Sequence, residues 1–319
     1  MRGCTTPCGP SAVAIGILDG VHIGHRSLVR KALTLAGEHG LQSVVHSFLP
    51  HPAKVLAPAH APSLIEPVEL RAERLAHAGV DALILQPFDL EFSRMRAQAF
   101  IEDILVGCLR AQHVVVGYNF HFGHGQEGNG ALLAEEGRRH GFDVHIMPAV
   151  SLGEERISSS RIREEIRRGN VKLAADLMGH SYVLRGQVVP GEGRGSKIGF
   201  ATANIDPLNE LLPGVGVYVA WARVNGETRR AVVNVGHAPT FGDVELRVEA
   251  HLLDYGGGEL YGAPMDLAFI EKVRDERAFD SIDALKAQIR LDAQRSKEVL
   301  APLPLPGYEE FLGLFSQHD

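Results

Sequence analysis

Two histidines stand three residues apart in a glycine-rich segment that reads G-I-L-D-G-V-H-I-G-H from Gly16 to His25. Glycines permit a tight turn and a close approach of a phosphate to the backbone. A helix that begins near His25 would turn its free N–H groups toward that phosphate, and one helical turn would aim His22 and His25 at it. Phosphoryl-type transfer depends on such positioning and on neutralising charge. The segment therefore predicts a nucleotide site built from His22, His25, Gly16, Asp19 and Gly24; a glycine turn with two surface histidines is the alternative.

A second glycine-rich segment lies in the other half of the chain. It is expected to wrap a nucleotide phosphate chain, although glycine loops in β proteins are often mere hairpins; its glycines are Gly191, Gly193, Gly195 and Gly199. Thr202 and Asn204 follow two residues apart, so on a strand they face the same way. Their oxygens suit Mg²⁺, which also takes phosphate oxygens. This segment predicts a magnesium–nucleotide site.

One carboxylate can be assigned to the surface of this second site. In the run R-V-E-A-H-L from Arg247 to Leu252, strand alternation puts the apolar residues on the core face and Glu249 on the other face. A carboxylate on a strand that faces a nucleotide site could accept a hydroxyl proton as general base. A solvated strand face is the alternative interpretation.

The elements that must position the first segment alternate between strands and helices. Buried strands are predicted at Val13–Ile17, Ser43–Phe48, Ala82–Leu85, His113–Val116 and Asp143–Ile146. Helices are predicted between them, as at Ser27–Glu38 and Gln98–Arg110. This alternation predicts a parallel sheet covered on both faces, with ligands beyond the carboxyl ends of its strands.

The second half predicts an antiparallel sheet or small barrel, because turns rather than helices separate most of its strands. The strands are expected at Val183–Val189, Gly216–Val224, Arg230–Val235, Val244–Leu253 and Met265–Ile270. A helix capped by Asp280 or Ser281 should then run to about Leu300, with Ile282, Leu285 and Ile289 on one face.

A helical segment from Arg161 to Met178 and a join near Gly179–Tyr182 divide the chain into domains 1–180 and 181–319. The Pro-rich stretch Ala301–Pro306 is expected to form a rigid tail.

Composition narrows the class of protein. A formal net charge of -7 argues against a nucleic-acid binder, which needs a basic face. No apolar run is long enough for a signal peptide or a membrane span, and three sparse cysteines suggest reduced thiols. These features predict a cytoplasmic protein.

The first site resembles the nucleotidyltransferase superfamily, whose signature is H-x-G-H after the first strand of a Rossmann-like fold. The same signature occurs in class I aminoacyl-tRNA synthetases, but their K-M-S-K-S loop is absent here. In its place I-S-S-S-R-I-R, from Ile157 to Arg163, resembles the I-S-S-T-x-I-R motif of the nucleotidyltransferases. The resemblance implies that Ser158, Ser159 and Arg161 bind the β- and γ-phosphates at a helix start. A plain helix cap is the alternative.

Two further segments resemble bacterial bifunctional riboflavin kinase/FAD synthetases. They are S-F-L-P-H-P from Ser47 to Pro52 and G-Y-N-F-H-F-G from Gly117 to Gly123. The resemblance implies a catalytic and flavin pocket lined by Phe48, His51, Asn119 and Phe120. Core packing is the alternative for both phenylalanines. His121 and His124 make only a weak metal motif, because no carboxylate or cysteine partner stands at a fixed spacing.

The second half resembles flavokinases in four segments: A-T-A-N-I from Ala201, N-V-G-H-A-P-T-F from Asn234, L-Y-G from Leu260, and V-R-D-E from Val273 with Phe279. The resemblance implies that Thr202 and Asn204 bind Mg²⁺–ATP and that Glu249 is the base on the ribityl 5′-hydroxyl. It also implies that the Gly191–Gly199 and Arg274–Phe279 loops close over ATP and flavin, with Arg274 and Asp275 in flavin binding.

The leading hypothesis is a bifunctional, ATP-dependent enzyme in which 1–180 is an FMN adenylyltransferase domain and 181–319 a riboflavin kinase domain. Its implied substrates are riboflavin, FMN and ATP. Two alternatives stay open: an FAD synthetase with a degenerate barrel, and a non-catalytic flavin- or nucleotide-binding module. Three residues depart from the family pattern, since Leu18 replaces Phe, Ser160 replaces Thr, and Ala201 replaces the Pro of P-T-A-N.

The departure at Ala201 gives a first prediction. Proline at a position whose backbone already suits it stabilises a protein by roughly 0.4–1 kcal/mol, mainly through the unfolded state. If the strand entry keeps the family's geometry, Ala201→Pro should fold and keep or improve riboflavin kinase activity. Thermal unfolding and a riboflavin-to-FMN assay measure this. A collapse in stability would show that the local backbone has diverged and would favour the degenerate barrel.

Overall fold

The computed structural model describes residues 9–191, 195, 198–237 and 246–313. They form two compact units. The first unit contains the described residues before Leu64 together with Val68–Ser158, and the second contains Leu64–Pro67 and the described residues from Ser159 onward.

The strands of the first unit are β1 (Ser11–Ile15), β2 (Gln42–Leu49), β3 (Ala82–Pro87), β4 (Ala111–Gly117), β5 (His121–Phe122), β6 (Gly128–Asn129), β7 (Asp143–Met147), β8 (Ser151–Leu152) and β9 (Glu155–Arg156). Those of the second unit are β10 (Tyr182–Val189), β11 (Ala203–Pro207), β12 (Gly216–Val224), β13 (Glu227–His237), β14 (Leu246–Leu252) and β15 (Pro264–Arg274). The α-helices are α1 (Ile23–His39), α2 (Pro52–Leu56), α3 (Val68–His77), α4 (Ala97–Ala99), α5 (Gly130–His140), α6 (Ser159–Arg168), α7 (Val171–Met178), α8 (Ile282–Leu300) and α9 (Tyr308–Leu312). Short 3₁₀ turns lie at Pro58–His60, Phe92–Arg94 and His124–Gln126.

The first unit is built on a five-stranded parallel sheet in the order β3-β2-β1-β4-β7. Every residue of the central strand β1 is buried, and its side chains alternate between two apolar layers. Val13 and Ile15 belong to the cluster that includes Phe100, whereas Ala12 and Ala14 pack into the layer that α1 covers. The predicted parallel sheet with both faces covered is confirmed.

Two predicted helices differ from the observed ones. The segment predicted at Gln98–Arg110 is α4 followed by a π-helical stretch, Phe100–Cys108. The segment predicted from Arg161 to Met178 is two helices that break at Gly169, whose φ of 81° few other residues adopt. A side chain there would also meet the Tyr218 hydroxyl, 2.7 Å from an added Cβ.

The second unit contains a closed antiparallel barrel in the order β10-β11-β14-β13-β12-β15. This confirms the predicted barrel and adds β11, which apolar patterning did not reveal because only Ile205 of this strand is fully buried. The predicted strand at Val244–Leu253 is observed as β14; residues 244 and 245 lie outside the described part of the chain.

Helix α8 begins as expected after Ser281, whose hydroxyl accepts a hydrogen bond from the Ala284 N–H at 3.1 Å. The predicted face packs along only part of its length. Ile282 is 61% exposed and Leu285 and Ile289 are half-buried, while Asp292, Ser296 and Leu300, which continue the same face at spacings of three and four residues, are buried. The polar members of this face are satisfied, because Asp292 pairs with Arg274 and Ser296 donates to the Ala231 carbonyl.

Two other expectations are corrected. The Pro-rich stretch leads into α9, whose Phe311 and Leu312 are buried, so a packed helix follows the predicted rigid tail. Cys108 is disulfide-bonded, so the expectation of reduced thiols is wrong for this residue. Among the described residues, no helix is long and apolar enough to cross a membrane.

A fully buried histidine gives the fold a pH dependence. His46 in β2 has no exposed surface, neither ring nitrogen has a hydrogen-bond partner among the described residues, and Phe48 and Phe100 are its ring neighbours. Burial lowers the pKa of His46 to about 4. An unfolded histidine has a pKa near 6.5, so the unfolded chain binds more protons between about pH 6.5 and 4 and stability is lost as pH falls through that range.

We therefore predict that His46→Leu reduces acid destabilisation. Between pH 6.5 and pH 5, the unfolding free energy of the variant should fall by about 1.6 kcal/mol less than that of the parent protein. Urea titrations at these two pH values measure the difference, and the other histidines cancel because both proteins carry them. An equal pH dependence in both proteins would contradict this prediction.

Candidate nucleotide sites

The loop between β1 and α1 forms the floor of the first candidate site. Its first residue is anchored by the Gly16 N–H, which donates to the His46 carbonyl at 3.2 Å. The loop then makes a turn that the Val21 N–H closes by donating to the Leu18 carbonyl at 3.1 Å. Leu18, Gly20 and Val21 have φ values of 54°, 79° and 33°. A positive φ is rare in non-glycine residues, and such strain costs on the order of 1–3 kcal/mol per residue.

Helix α1 brings the two predicted histidines together. His22 is its N-cap, and its Nδ1 accepts a hydrogen bond from the His25 N–H at 3.3 Å. The two rings stack with centroids 3.6 Å apart and an interplanar angle of 19°. A Cβ on Gly24 would lie 3.1 Å from the His22 ring, so glycine keeps the space that this stacking needs. Asp19 and His22 are buried and lie where helix N–H groups and a positive dipole end attract phosphate.

Two more predicted residues lie at the ends of the strands next to β1. His51 follows β2 and caps α2, with its Nδ1 accepting from the Ala53 N–H at 3.1 Å. Asn119 follows β4 and is exposed. Because β2, β1 and β4 are neighbouring parallel strands, the H-x-G-H loop, His51 and Asn119 follow the carboxyl ends of three adjacent strands.

The two predicted flavin-pocket phenylalanines are half-buried and pack against the first apolar cluster. Phe48 lies 6.0 Å from the rings of both Phe88 and Phe92, and Phe120 stacks on Phe122 at 5.4 Å. Each side chain therefore contributes to the core and retains an accessible part.

The I-S-S-S-R-I-R segment starts a helix, as the sequence indicates. Ser159 is the first residue of α6, Ser158 precedes it, and Arg161 is half-buried in the first turn. The division between the two units falls between Ser158 and Ser159. Phosphate binding by these three residues stays a prediction.

The weak metal motif gains no support. The Nδ1 atoms of His121 and His124 hydrogen-bond the Asn119 and Ser93 carbonyls at 3.0 and 3.3 Å. Throughout the described part of the chain, no group of three or more His, Cys, Asp or Glu side chains is arranged to hold a metal ion.

The second candidate site is a row of polar side chains across three barrel strands. Glu249 in β14 pairs directly with Asn204 in β11 and with Asn234 in β13. Side chains of directly opposite residues lie on one face, with Cβ atoms about 4.5–5.5 Å apart. The predicted alternation along β14 is observed, because Val248, Ala250 and Leu252 are buried while Glu249 is half-exposed.

Sequence reasoning missed Asn234 as a member of this row and considered Glu276 only as a substitute for Glu249 as the base. A Cβ on Gly236 would lie 2.4 Å from Glu276 Oε1 and 3.0 Å from Asn234 Nδ2. The absence of a side chain at Gly236 thus lets a carboxylate of the loop after β15 approach the strand beside Asn234. Alternation along β13 marks Asn234 as outward-facing, but only the cross-strand register places it opposite Glu249.

The glycine-rich loop approaches the predicted magnesium ligands. A Cβ on Gly191 would lie 1.9 Å from Asn204 Nδ2, and a Cβ on Gly195 would lie 3.2 Å from Thr202 Oγ1. Thr202 itself stands one residue before β11. Gly199 has a φ of 89°, which glycine adopts without strain. Gly193 and the P-T-F residues 239–241 lie outside the described residues.

The loop after β15 is anchored to α8. Arg274 forms a bidentate ion pair with the buried Asp292, at distances down to 2.8 Å, and its guanidinium lies 5.7 Å from the Phe279 ring. Asp275 is exposed and pairs with Lys272 at 2.7 Å; the hydrogen bond from Lys272 lowers the pKa of the Asp275 carboxyl. Flavin binding by Arg274 and Asp275 stays a prediction, since Asp292 engages the guanidinium of Arg274 in this structure.

Two family models match the chain, one over each site. The FAD synthetase family matches residues 6–161, and the riboflavin kinase family matches residues 178–300. The first match contains the H-x-G-H loop, and the second contains the row of Asn204, Glu249 and Asn234.

Similar proteins match over nearly the whole chain. A bifunctional riboflavin kinase/FMN adenylyltransferase of Listeria monocytogenes is 37% identical over 91% of this chain and 93% of its own length. One of Escherichia coli K12 is 36% identical over 90% and 91%. A crystal structure described as a macrolide-efflux protein from Streptococcus pneumoniae has a TM-score of 0.84 at 32% identity, covering 92% of this chain and 96% of its own. The chain belongs to the bifunctional riboflavin kinase/FMN adenylyltransferase family.

Proposed function

We propose that the chain makes FAD in two ATP-dependent steps, phosphorylating riboflavin in the barrel and adenylylating FMN on the parallel sheet. The observation that carries this proposal is the pairing of two separate polar sites with two family matches, each over its own residues. Its partners are riboflavin, FMN and ATP, and a net charge of -7 supports small-molecule rather than nucleic-acid partners. We assign adenylylation to 1–180 and phosphorylation to 181–319 of a cytoplasmic enzyme.

In the kinase step, Glu249 is the proposed general base. It takes the proton of the ribityl 5′-hydroxyl while that oxygen attacks the γ-phosphorus of ATP; the bond to the β–γ bridging oxygen breaks, and FMN and ADP form. The support is positional, since Glu249 is half-exposed and directly opposite Asn204 in the strand pairing.

Magnesium fits the oxygen donors of the same site. The Thr202 hydroxyl and the Asn204 amide oxygen are hard ligands, and the loop backbone comes so close to both at Gly191 and Gly195 that no larger side chain fits at either position. When bound there, Mg²⁺ would supply charge neutralisation at the phosphates. Gly193 and Gly199 complete the proposed phosphate loop.

In the adenylylation step, His22 and His25 are the proposed transition-state donors. The FMN phosphate oxygen attacks the α-phosphorus of ATP, the bond from this phosphorus to the α–β bridging oxygen breaks, and pyrophosphate leaves. The stacked imidazoles at the start of α1 lie where they could neutralise the crowded phosphate. Gly16, Asp19, Gly24, Ser158, Ser159 and Arg161 are the proposed ATP-binding residues.

Flavin binding is proposed at two places. On the sheet we assign it to Phe48, His51, Asn119 and Phe120, which follow or end the strands beside β1. In the barrel we assign it to the loop of Arg274 and Asp275, with Asp292 orienting the guanidinium.

The two alternatives predict different products. A degenerate barrel would make no FMN from riboflavin, and a binding module would turn over neither substrate. The pairing of Glu249 with both asparagines favours a working kinase site over a degenerate one. Incubation with riboflavin, ATP and Mg²⁺, followed by separation of the flavins, distinguishes all three.

We predict that His25→Ala loses FAD formation while FMN formation from riboflavin persists. Removing one preorganised donor typically costs on the order of 10²–10³ in rate. Chromatography of both flavin products measures the two activities in one sample. His39→Ala, an exposed histidine at the other end of α1, is the matched control and should leave both activities unchanged. Unchanged FAD synthesis in the His25 variant would contradict the assignment of adenylyl transfer to this site.

We predict that Glu249→Gln lowers riboflavin phosphorylation by about 10²–10⁴-fold, the usual contribution of a general base. Glutamine keeps the size and hydrogen bonding of the side chain, so FAD formation from supplied FMN should stay near normal. Glu227→Gln, at the exposed start of β13, is the matched control. If both activities fell together, the damage would be structural; if neither fell, Asp275 or Glu276 would be the next candidates for the base.

A further inference from the structure

The carbonyl of Ile17, in the loop of the first site, accepts two hydrogen bonds from buried side chains. Ser47 Oγ of β2 donates at 3.0 Å, and Arg71 Nη1 of α3 also donates. Ser47 is fully buried and Arg71 is 2% exposed, so water does not compete for either bond. Ser47 is the first residue of the S-F-L-P-H-P segment, whereas Arg71 belongs to none of the segments that carry the family resemblance.

The other end of the same turn is held by a second arginine. Arg26 of α1 donates from Nε to the Val21 carbonyl at 3.3 Å, and it is 8% exposed. Between the two held carbonyls lie Leu18 and Val21, whose positive φ values of 54° and 33° are unfavourable for their side chains. Such a backbone persists only where its surroundings over-determine it. The two buried guanidinium groups meet this requirement.

The charge of Arg71 needs explanation beyond the hydrogen bond. A guanidinium is always protonated, and its burial is costly unless an anion compensates it. Arg71 Nε is buried without a hydrogen-bond partner among the described residues. A neutral side chain could hold a carbonyl with less desolvation, so a permanent cation beneath a phosphate loop indicates a role in the reaction. The anions that this site takes, under the function proposed above, are the phosphates of ATP and FMN.

We propose that Arg71 is a positioning residue for adenylyl transfer: it holds the Ile17 carbonyl so that the turn presents the start of α1, with His22 and His25, to the reacting phosphate. Ser47 shares this task through the same carbonyl, and Arg26 holds the opposite end. The inference rests on the proposed function of the first site. It adds a residue that contacts no substrate and acts through the loop.

The test measures kcat and KM for FAD formation from FMN and ATP in the full chain. Arg71→Met should lower kcat by about 10²-fold, the cost of a misplacement of about 1 Å at a reacting centre, with the KM for ATP changed less than threefold. Arg71→Lys keeps the charge without the planar fork, so it should recover part of the loss. Ser47→Ala should lower kcat by about fivefold, the equivalent of one neutral hydrogen bond.

Ser43→Ala is the matched control. Ser43 is a buried serine on the same face of β2, and its hydroxyl bonds Asp81 and Gly79 rather than the loop. It should lose stability without losing kcat at a temperature well below unfolding. In Arg71→Ala, guanidinium ion at millimolar concentration should restore kcat, and the neutral isostere urea should not. This rescue distinguishes positioning by the Arg71 guanidinium from a general loss of structure.

Three results would overturn the inference: an unchanged kcat in Arg71→Met, a fall matched by Ser43→Ala, or a loss confined to KM. If Arg71→Met did not fold, Arg71→Lys and Ser47→Ala would decide, and normal kcat in both would overturn it. The outcome is separable from the proposed function. If His25→Ala formed FAD at the parent rate, the proposed function of the site would be wrong. If His25→Ala were inactive and Arg71→Met were fully active, only the role of Arg71 would be wrong.

Discussion

The pairing of β1 with β2 on one side and with β4 on the other determines the geometry of the first site. Parallel strands in register end together, so the H-x-G-H loop, His51 and Asn119 follow neighbouring strand ends although about a hundred residues separate the first from the last. In the barrel, the register of antiparallel strands has the same effect. Its register sets Glu249 between Asn204 and Asn234, which come from strands distant in the sequence. In both sites, strand pairing therefore brings together residues from separate segments of the sequence.

Glycine residues, which have no side chain, determine the shape of both sites together with the polar groups. Gly24 leaves space for the stacked histidines, Gly191 lets the loop backbone approach Asn204, and Gly236 admits the Glu276 carboxylate. At each of these positions a Cβ would lie closer to a neighbour than ordinary packing allows. A site that receives phosphate needs backbone N–H groups at short range, and glycine gives this access without a competing side chain. The arrangement explains why the glycines of both motifs precede or face the chemically active residues.

The sequence predicted what depends on local periodicity and left out what depends on long-range pairing. The sheet strands follow from apolar runs, and the start of α8 follows from Ser281, because burial and capping are local properties. Strand β11 was not among the predicted strands, although Thr202 and Asn204 were compared as strand residues, because it is mostly half-exposed and includes Asp206 and Pro207. Asn234 and Glu276 escaped for another reason, since their proximity to Glu249 and Gly236 exists only in the folded register. The most buried part of the α8 face was also missed, because Asp292 is buried together with its ion pair to Arg274 and an apolar pattern does not mark it.

The same distinction separates residues that touch phosphate from residues that hold the loop. A motif records side chains whose spacing suits a ligand, and the H-x-G-H segment is found in this way. Arg71 lies in α3, which is separated from the loop in the sequence by α1, β2 and α2, and nothing in the pattern of α3 distinguishes it from a solvated arginine. Its burial and its bond to the Ile17 carbonyl appear only once α3 packs on the sheet. A turn with Leu18 and Val21 at positive φ cannot be stable through its own residues, so the groups that stabilise it must come from elsewhere in the fold. In this unit the H-x-G-H motif supplies the proposed reacting side chains. Buried donors elsewhere in the sequence, Arg71 and Ser47, hold the loop that positions them.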